Sequence, residues 1–392
     1  MTEIAMAFDC ERKALMAALG LARRAIAKKT TLPILRCVLL HAQGQTLRVV
    51  GTDMETALTQ HIEIAAKADG AVCVDLETLL RRLKETTAPV LHFEKQGEAL
   101  QITAGNVTFS VETLDARSFP VTRFLELKGE VEKGTAHCFT APVATFAELF
   151  EPVFAASKDD ARVALQGLNL TVSAESVEAA ATNGHHLAVC TLPRSRFSGL
   201  VGESDDGSYL IPSAPLKLLA LLKKGGDLRL DLRSTCGEFT IGANIVAFRI
   251  SDVVFPEYPS IVTKARANRL VVNCTATALI TALKIADAGN GKNDPMPMVR
   301  VIAEPGQPLA VESSDAKTRT TLAAYGNIAQ RTTICFNAHS AIDALRRFAK
   351  GAAVQIALHD DDPAQTPLTI SSATKPHFLY VLMPVQDRAT AD

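Results

Sequence analysis

The sequence predicts an α+β chain of three tandem modules, each with two helices and antiparallel sheets. Three observations point there. The chain has 392 residues, too long for one ordinary core and well suited to three of about 130. A hydroxyl-Asx turn recurs at thirds of the chain: Thr52-Asp53, Thr182-Asn183-Gly184 and Ser313-Ser314-Asp315, with 130 residues from Asp53 to Asn183 and 132 from Asn183 to Asp315. The order strand, helix, strands, turn, strand, helix, strands restarts after each third. Boundaries fall at residues 1–128, 129–262 and 263–392, the first inside the charged linker from Glu126 to Gly134.

The first module opens with a short strand and a helix, together spanning Phe8 to Lys29, whose Leu15, Leu19, Ala22 and Ile26 make one apolar stripe. Pro33 breaks it. Strands follow at Cys37–His41, Thr46–Gly51 and Ala57–Ile64, with a hairpin at Gly44. A second helix begins near Asp75, because Leu76, Leu79, Leu80 and Leu83 stand at i, i+3, i+4 and i+7. Four alternating segments then fill Val90 to Leu114, turning at Gly97 and Gly105.

The second module reads as strand His137–Thr140, helix Val143–Ala156, and strands Ala164–Val172 and Val177–Ala181 before the central turn. Its second helix starts with Ser213 as N-cap and Pro215 in the first turn, and ends at Lys223-Lys224-Gly225-Gly226. The third module has strand Leu270–Cys274, helix Ala276–Ala288, a second helix with Ala341, Ile342, Leu345 and Phe348 inward, and a last strand, Phe378–Val385. Each module's second helix ends in cations. For one helix this is dipole compensation; three at the same module position would converge on one surface if the modules are arranged with pseudo-symmetry.

Composition excludes several functions. Hydrophobic residues make up 47% and charged residues 21%, an ordinary globular balance, and the net charge of −1 argues against gripping nucleic acid through bulk charge. The eight cysteines are never closer than 27 residues, so no zinc ribbon or CxxC redox motif exists. There is no apolar leader and no run of membrane-spanning length. These features imply a cytoplasmic protein with reduced thiols. No GxxxxGK[ST] or strand-borne GxGxxG signals a nucleotide. His185, His186 and Cys190 come nearest to a catalytic or metal cluster, but no carboxylate stands at a fitting interval, so neither a metal nor a cofactor is expected.

Thr31-Leu32-Pro33-Ile34-Leu35, Gly51-Thr52-Asp53, Ala181-Thr182-Asn183-Gly184-His185-His186-Leu187-Ala188-Val189, Phe255-Pro256-Glu257-Tyr258 and Tyr380-Val381-Leu382-Met383-Pro384 together resemble the bacterial DNA polymerase III beta subunit, the DNA sliding clamp, in order and along the whole chain. The resemblance implies three DNA-clamp domains per chain and a head-to-tail ring dimer that encircles duplex DNA without catalysing anything. Twelve helices spaced about 10 Å make a circle roughly 38 Å across, which leaves a hole of ~28 Å. The partners implied are double-stranded DNA, read without sequence preference, the polymerase III alpha subunit, the clamp loader, other proteins bearing a clamp-binding motif, and a second copy of the chain. The DNA-facing residues would be Arg23, Arg24, Lys29, Arg81, Arg82, Lys223, Lys224, Arg346 and Arg347. Phe109 and Val111 fall on the implied dimer-interface strand. An apolar peptide pocket would be walled by Leu165, Thr182, Gly184, His185, Leu187, Pro256, Ile261, Val381, Leu382, Met383 and Pro384.

The chain departs from the family where His186 replaces a frequent arginine, where Ser260 stands for a rim cation, and where Glu77 and Ser213 stand at helix starts that are often basic. These changes fit an accessory or paralogous clamp with altered ligand sensitivity. The alternative from the residues alone is a repeat-built interaction scaffold that does not close around DNA.

Overall fold

The computed structural model describes residues 6–27, 29–120, 137–199, 206–222, 225–290, 297–359 and 366–386. Two compact units form, residues 1–147 with 195–252 and residues 148–194 with 253–392. Seven α-helices occur among the described residues: α1 (Arg12–Ala22), α2 (Leu76–Lys84), α3 (Val143–Leu149), α4 (Ser213–Leu221), α5 (Pro259–Arg266), α6 (Ala276–Ala288) and α7 (Ala338–Leu345). None is long and apolar enough to cross a membrane.

The first unit is built on a 13-stranded antiparallel sheet. At its centre the strand Thr46–Thr52 lies between Cys37–Gln43 and Thr56–Glu63, and Thr56–Glu63 pairs on its other side with Asn244–Arg249. Helices α1 and α2 bury their stripes on one face, Leu15 and Leu19 with Leu79 and Leu83 against Val38, Leu40, Val49 and Val72. Asp75 caps α2 by accepting from the Thr78 N–H at 2.8 Å.

In the second unit eight strands run in the order Gly167–Val172, Ser176–Thr182, His186–Pro193, Phe378–Leu382, Leu368–Ser371, Ala353–Leu358, Leu270–Thr275 and Tyr325–Gly326. A second, four-stranded sheet orders Arg319–Leu322, Leu309–Ser313, Met298–Ala303 and Thr332–Asn337. Helix α6 packs on α7 and on this smaller sheet. All eight cysteines are reduced and buried.

Several expectations need correction. Helix α1 stops at Ala22, and Arg24 and Ala25 close tight turns onto Leu21 and Ala22 instead. Ile26 still packs on the same core, which is why the stripe looked longer. Val90 to Leu114 holds three strands, not four, turning at Gly97 and Gly105 with φ of 59° and 63°. Helix α3 ends at Leu149, and Pro152 leaves a 3-10 turn over Glu151–Ala155. Val163–Leu165 is also a 3-10 turn, so the strand begins at Gly167. The N-cap of α4 is Pro212, with Ser213 already helical. The last strand stops at Leu382. Helix α5 has no counterpart in the sequence reading.

Candidate functional site

The central turn is built by its own side chains. Thr182 Oγ1 donates to the His186 carbonyl at 2.5 Å and accepts from the Gly184 N–H at 3.0 Å. Asn183 Oδ1 accepts from the N–H groups of His185 and His186 at 3.0 and 3.2 Å. Gly184 takes φ of 91°, and a Cβ there would lie 3.1 Å from the Arg162 guanidinium, so glycine suits both backbone and space. Arg162 in turn donates to the Asn183 carbonyl at 3.1 Å.

Past this turn the chain enters the strand His186–Pro193, which pairs antiparallel with Phe378–Leu382 and sets Leu187 opposite Val381 and His186 opposite Leu382. The Met383 N–H extends the ladder to the His185 carbonyl at 3.0 Å. Thr182, Gly184, His185, Leu187, Val381, Leu382 and Met383 are therefore brought to one sheet end. Leu187, Val381 and Leu382 are buried; Gly184, His185 and Met383 are exposed. Leu165 is half-buried at the end of its 3-10 turn, bonded to the Arg162 carbonyl at 2.9 Å. Pro256 and Ile261 are exposed, Ile261 on α5, and Pro384 is half-buried. The segment holding Pro256 is tied to the sheet by Tyr258, whose hydroxyl donates to Glu178 at 2.5 Å while Thr191 donates to the same carboxylate at 2.7 Å.

Behind this wall lies a buried polar network that sequence reasoning missed. The Tyr380 hydroxyl donates to the Ser340 carbonyl at 2.9 Å, which leaves it to accept from His186 Nδ1 at 2.6 Å. Burial, with the neighbouring His185, pushes His186 down to about 4, against the pull of Asp343. His186 is thus a neutral, Nδ1-protonated imidazole at neutral pH. The Tyr380 ring stacks on Phe154, and the Arg347 guanidinium lies 4.7 Å over Phe154. Lys375 bonds Glu151 and the Arg347 carbonyl in the same layer.

Those of the expected DNA-facing cations that are among the described residues are exposed, and several are already engaged. Arg23 pairs with Glu77 at 2.5 Å. Arg82 donates to the Ser110 carbonyl. Arg346 pairs with Asp343 at 2.9 Å, one turn earlier. Arg24, Lys29 and Arg81 are exposed on the first unit. Lys223 and Lys224 lie outside the described residues. On the expected interface strand, Val107–Leu114, Val111 is buried in the first unit's core and Phe109 is half-buried against it. What this strand offers outward is its edge, since only Thr113 and Leu114 pair with Gly70–Asp75. Among the described residues no three His, Cys, Asp or Glu side chains are grouped as a metal site requires.

Two family models match the chain: the DNA polymerase III beta subunit N-terminal domain over residues 6–123, and its central domain over residues 140–257. The beta sliding clamp of Pseudomonas putida is 29% identical over 276 residues, 68% of this chain and 70% of that protein. The beta sliding clamp of Escherichia coli K12 is 29% identical over 277 residues, 69% of this chain and 71% of that one. The solved DNA polymerase sliding clamp of Bacillus subtilis matches with a TM-score of 0.86 over 97% of this chain and 99% of that chain, at 18% identity.

Proposed function

This chain belongs to the DNA polymerase III beta subunit family, the sliding clamps, so it is a non-catalytic processivity factor of DNA replication, and we propose that it works in the cytoplasm as a closed head-to-tail ring of two copies. Each copy contributes three clamp domains, residues 1–128, 129–262 and 263–392.

One observation carries the ring. The strand after the first turn, Thr56–Glu63, pairs with Asn244–Arg249, and the strand after the second, His186–Pro193, pairs with Phe378–Leu382. Among the described residues the strand after the third, Arg319–Leu322, pairs only with Leu309–Ser313 and ends its sheet. The remaining strand of the partner type is Val107–Leu114, which among the described residues has no strand on one edge over residues 107–112, although Arg82 donates to the Ser110 carbonyl there. Joining these two edges between copies repeats the junction used twice within the chain. The register follows from the hairpins. Gly105 and Gly242 occupy the same turn position, so Ser110 corresponds to Ala247, the partner of Ala57. Arg319 corresponds to Ala57 by its pairing with Glu312, as Ala57 pairs with Thr52. Ser110 of one copy then faces Arg319 of the other, about 5.5 Å apart at Cα. The double variant Ser110→Cys, Arg319→Cys is expected to form an interchain disulfide under mild oxidation. Failure to cross-link in a protein that sediments as a dimer would exclude this register.

Enclosure explains the neutral net charge, since strong phosphate contacts would oppose sliding. The cations Arg23, Arg24, Lys29, Arg81, Arg82, Lys223, Lys224, Arg346 and Arg347 line the hole and hold the duplex loosely. The sheet end of Leu187, Val381 and Met383, rimmed by His185 and Ile261, receives short apolar motifs of the polymerase alpha subunit, the clamp loader and repair proteins. Met is suited to such a surface because its flexible thioether adapts to different side chains. The decisive experiment loads the protein on a nicked circular duplex with a bacterial clamp loader and ATP. The ring is expected to stay on the circle and to be lost on linearisation; equal retention on both forms would contradict it.

A further inference from the structure

The first unit carries a bond-for-bond counterpart of the peptide wall, with a different chemistry. Thr52 Oγ1 donates to the Thr56 carbonyl at 2.9 Å and accepts from the Met54 N–H at 3.0 Å, as Thr182 does with His186 and Gly184. Asp53 Oδ1 accepts from Glu55 and Thr56, as Asn183 does from His185 and His186. The Arg249 N–H reaches the Glu55 carbonyl at 3.0 Å, the same bond and length as Met383 to His185. The Leu35 N–H reaches the Leu32 carbonyl at 3.1 Å, as Leu165 reaches Arg162. Met54 therefore stands for Gly184, Glu55 for His185, Arg249 for Met383 and Leu32 for Arg162.

Each exchange changes what the surface attracts. Met54 holds φ of 81°, a region L side chains avoid, and keeps 45% of its surface exposed; Leu32 is 51% exposed. By the same equivalence these two apolar side chains stand at the positions of Arg162 and Gly184, where the Arg162 guanidinium reaches the turn in the second unit. The rim there carries Arg162, in an exposed pair with Asp159 at 3.6 Å, and the imidazole of His185. Here it is acidic, from Asp53 and Glu55, with Arg249 beside Glu55 at 3.5 Å in a solvent-exposed pair too weak to close the surface. Smaller residues, Ala57 and Ala247, replace Leu187 and Val381 at the floor.

We propose that the Leu32–Met54 surface is a second docking site, for an extended segment of a partner protein whose apolar side chains are flanked by lysine or arginine. It rests on reading the second unit's sheet end as a peptide site. Charge complementarity selects the occupant: an acidic rim favours basic flanks and repels the acidic flanks that Arg162 would favour.

The test uses two labelled peptides on the full-length protein, Lys-Lys-Leu-Leu-Lys-Lys and Glu-Glu-Leu-Leu-Glu-Glu, read by fluorescence anisotropy in 50 mM salt. The basic peptide is expected to bind at least tenfold tighter than the acidic one. Met54→Gly, which suits the backbone, and Glu55→Lys should each weaken the basic peptide by tenfold or more, with Met383→Asp leaving it unchanged. Loss of the basic peptide in Met383→Asp but not in Met54→Gly would place it on the second unit and overturn the proposal. So would equal binding of the two peptides to the unaltered protein. If Met383→Asp alters no peptide, including a polymerase-derived one, while Met54→Gly still matters, only the second-unit reading fails.

Discussion

His186 and Tyr380 share a proton-sensitive contact 194 residues apart in sequence. The folded state holds His186 down to about 4, below the ~6.5 of an unfolded chain, so the unfolded state binds more protons between those values. Stability is fully present above pH 6.5 and falls as the pH drops toward 4, by roughly 3 kcal/mol over that window. Thermal melts from pH 7.5 to 4 should show that fall, and His186→Gln should flatten it; an unchanged slope in the variant would assign the acid sensitivity elsewhere. Tyr380→Phe leaves the Ser340 carbonyl and the His186 N–H without their shared partner and should cost about 1–3 kcal/mol. Met383→Asp belongs to the same scale: a charge at the rim should weaken binding of a polymerase-derived peptide while sedimentation still reports a dimer. None of the Tyr380 network was legible beforehand. His186 and Cys190 share a strand face, which the spacing showed, but the hydroxyl that fixes the imidazole arrives from the far end of the chain.

Elements with strong local signals were read well. Helix α6 runs over Ala276–Ala288 as predicted, because the Thr275 side chain accepts from the Ala278 N–H and Gly289 ends it. Helix α2 followed from four leucines at helical spacing, all buried. Helix α5 was invisible because only Ala265 on it is buried, so no apolar stripe marks it. The first two Asx turns match in every side-chain bond, but the third departs. There Ser313 binds Asp315, and the positive φ falls at Ala316, three residues after the serine. Two extra residues between Glu312 and Arg319 are the cause. Asn183→Ala removes two backbone bonds and should cost about 1–2 kcal/mol locally, visible as faster amide exchange at His185 and His186. The residues of the candidate wall were named through its turn, its last strand and the family resemblance, whereas the helix that carries Ile261 went unseen.

For the whole molecule, the recurring interval and the five motifs carried the reading of three modules, while the strand edges on which the proposed closure rests belong to strand pairing and not to composition. A ring that retains DNA by enclosure should show salt dependence far weaker than a binder making many phosphate contacts. Raising salt from 50 to 200 mM should shorten its residence on a closed circle by less than threefold; a loss of a hundredfold would mean that grip dominates. The reduced, buried cysteines have a practical corollary. Burial lifts Cys10, Cys73 and Cys274 to about 12 and Cys37 and Cys138 to about 11, each a solvent-shielded group with almost no thiolate at neutral pH. A single cysteine placed on the surface would therefore outcompete those five for a maleimide dye, and movement along a duplex could be tracked by energy transfer without first stripping them from the sequence.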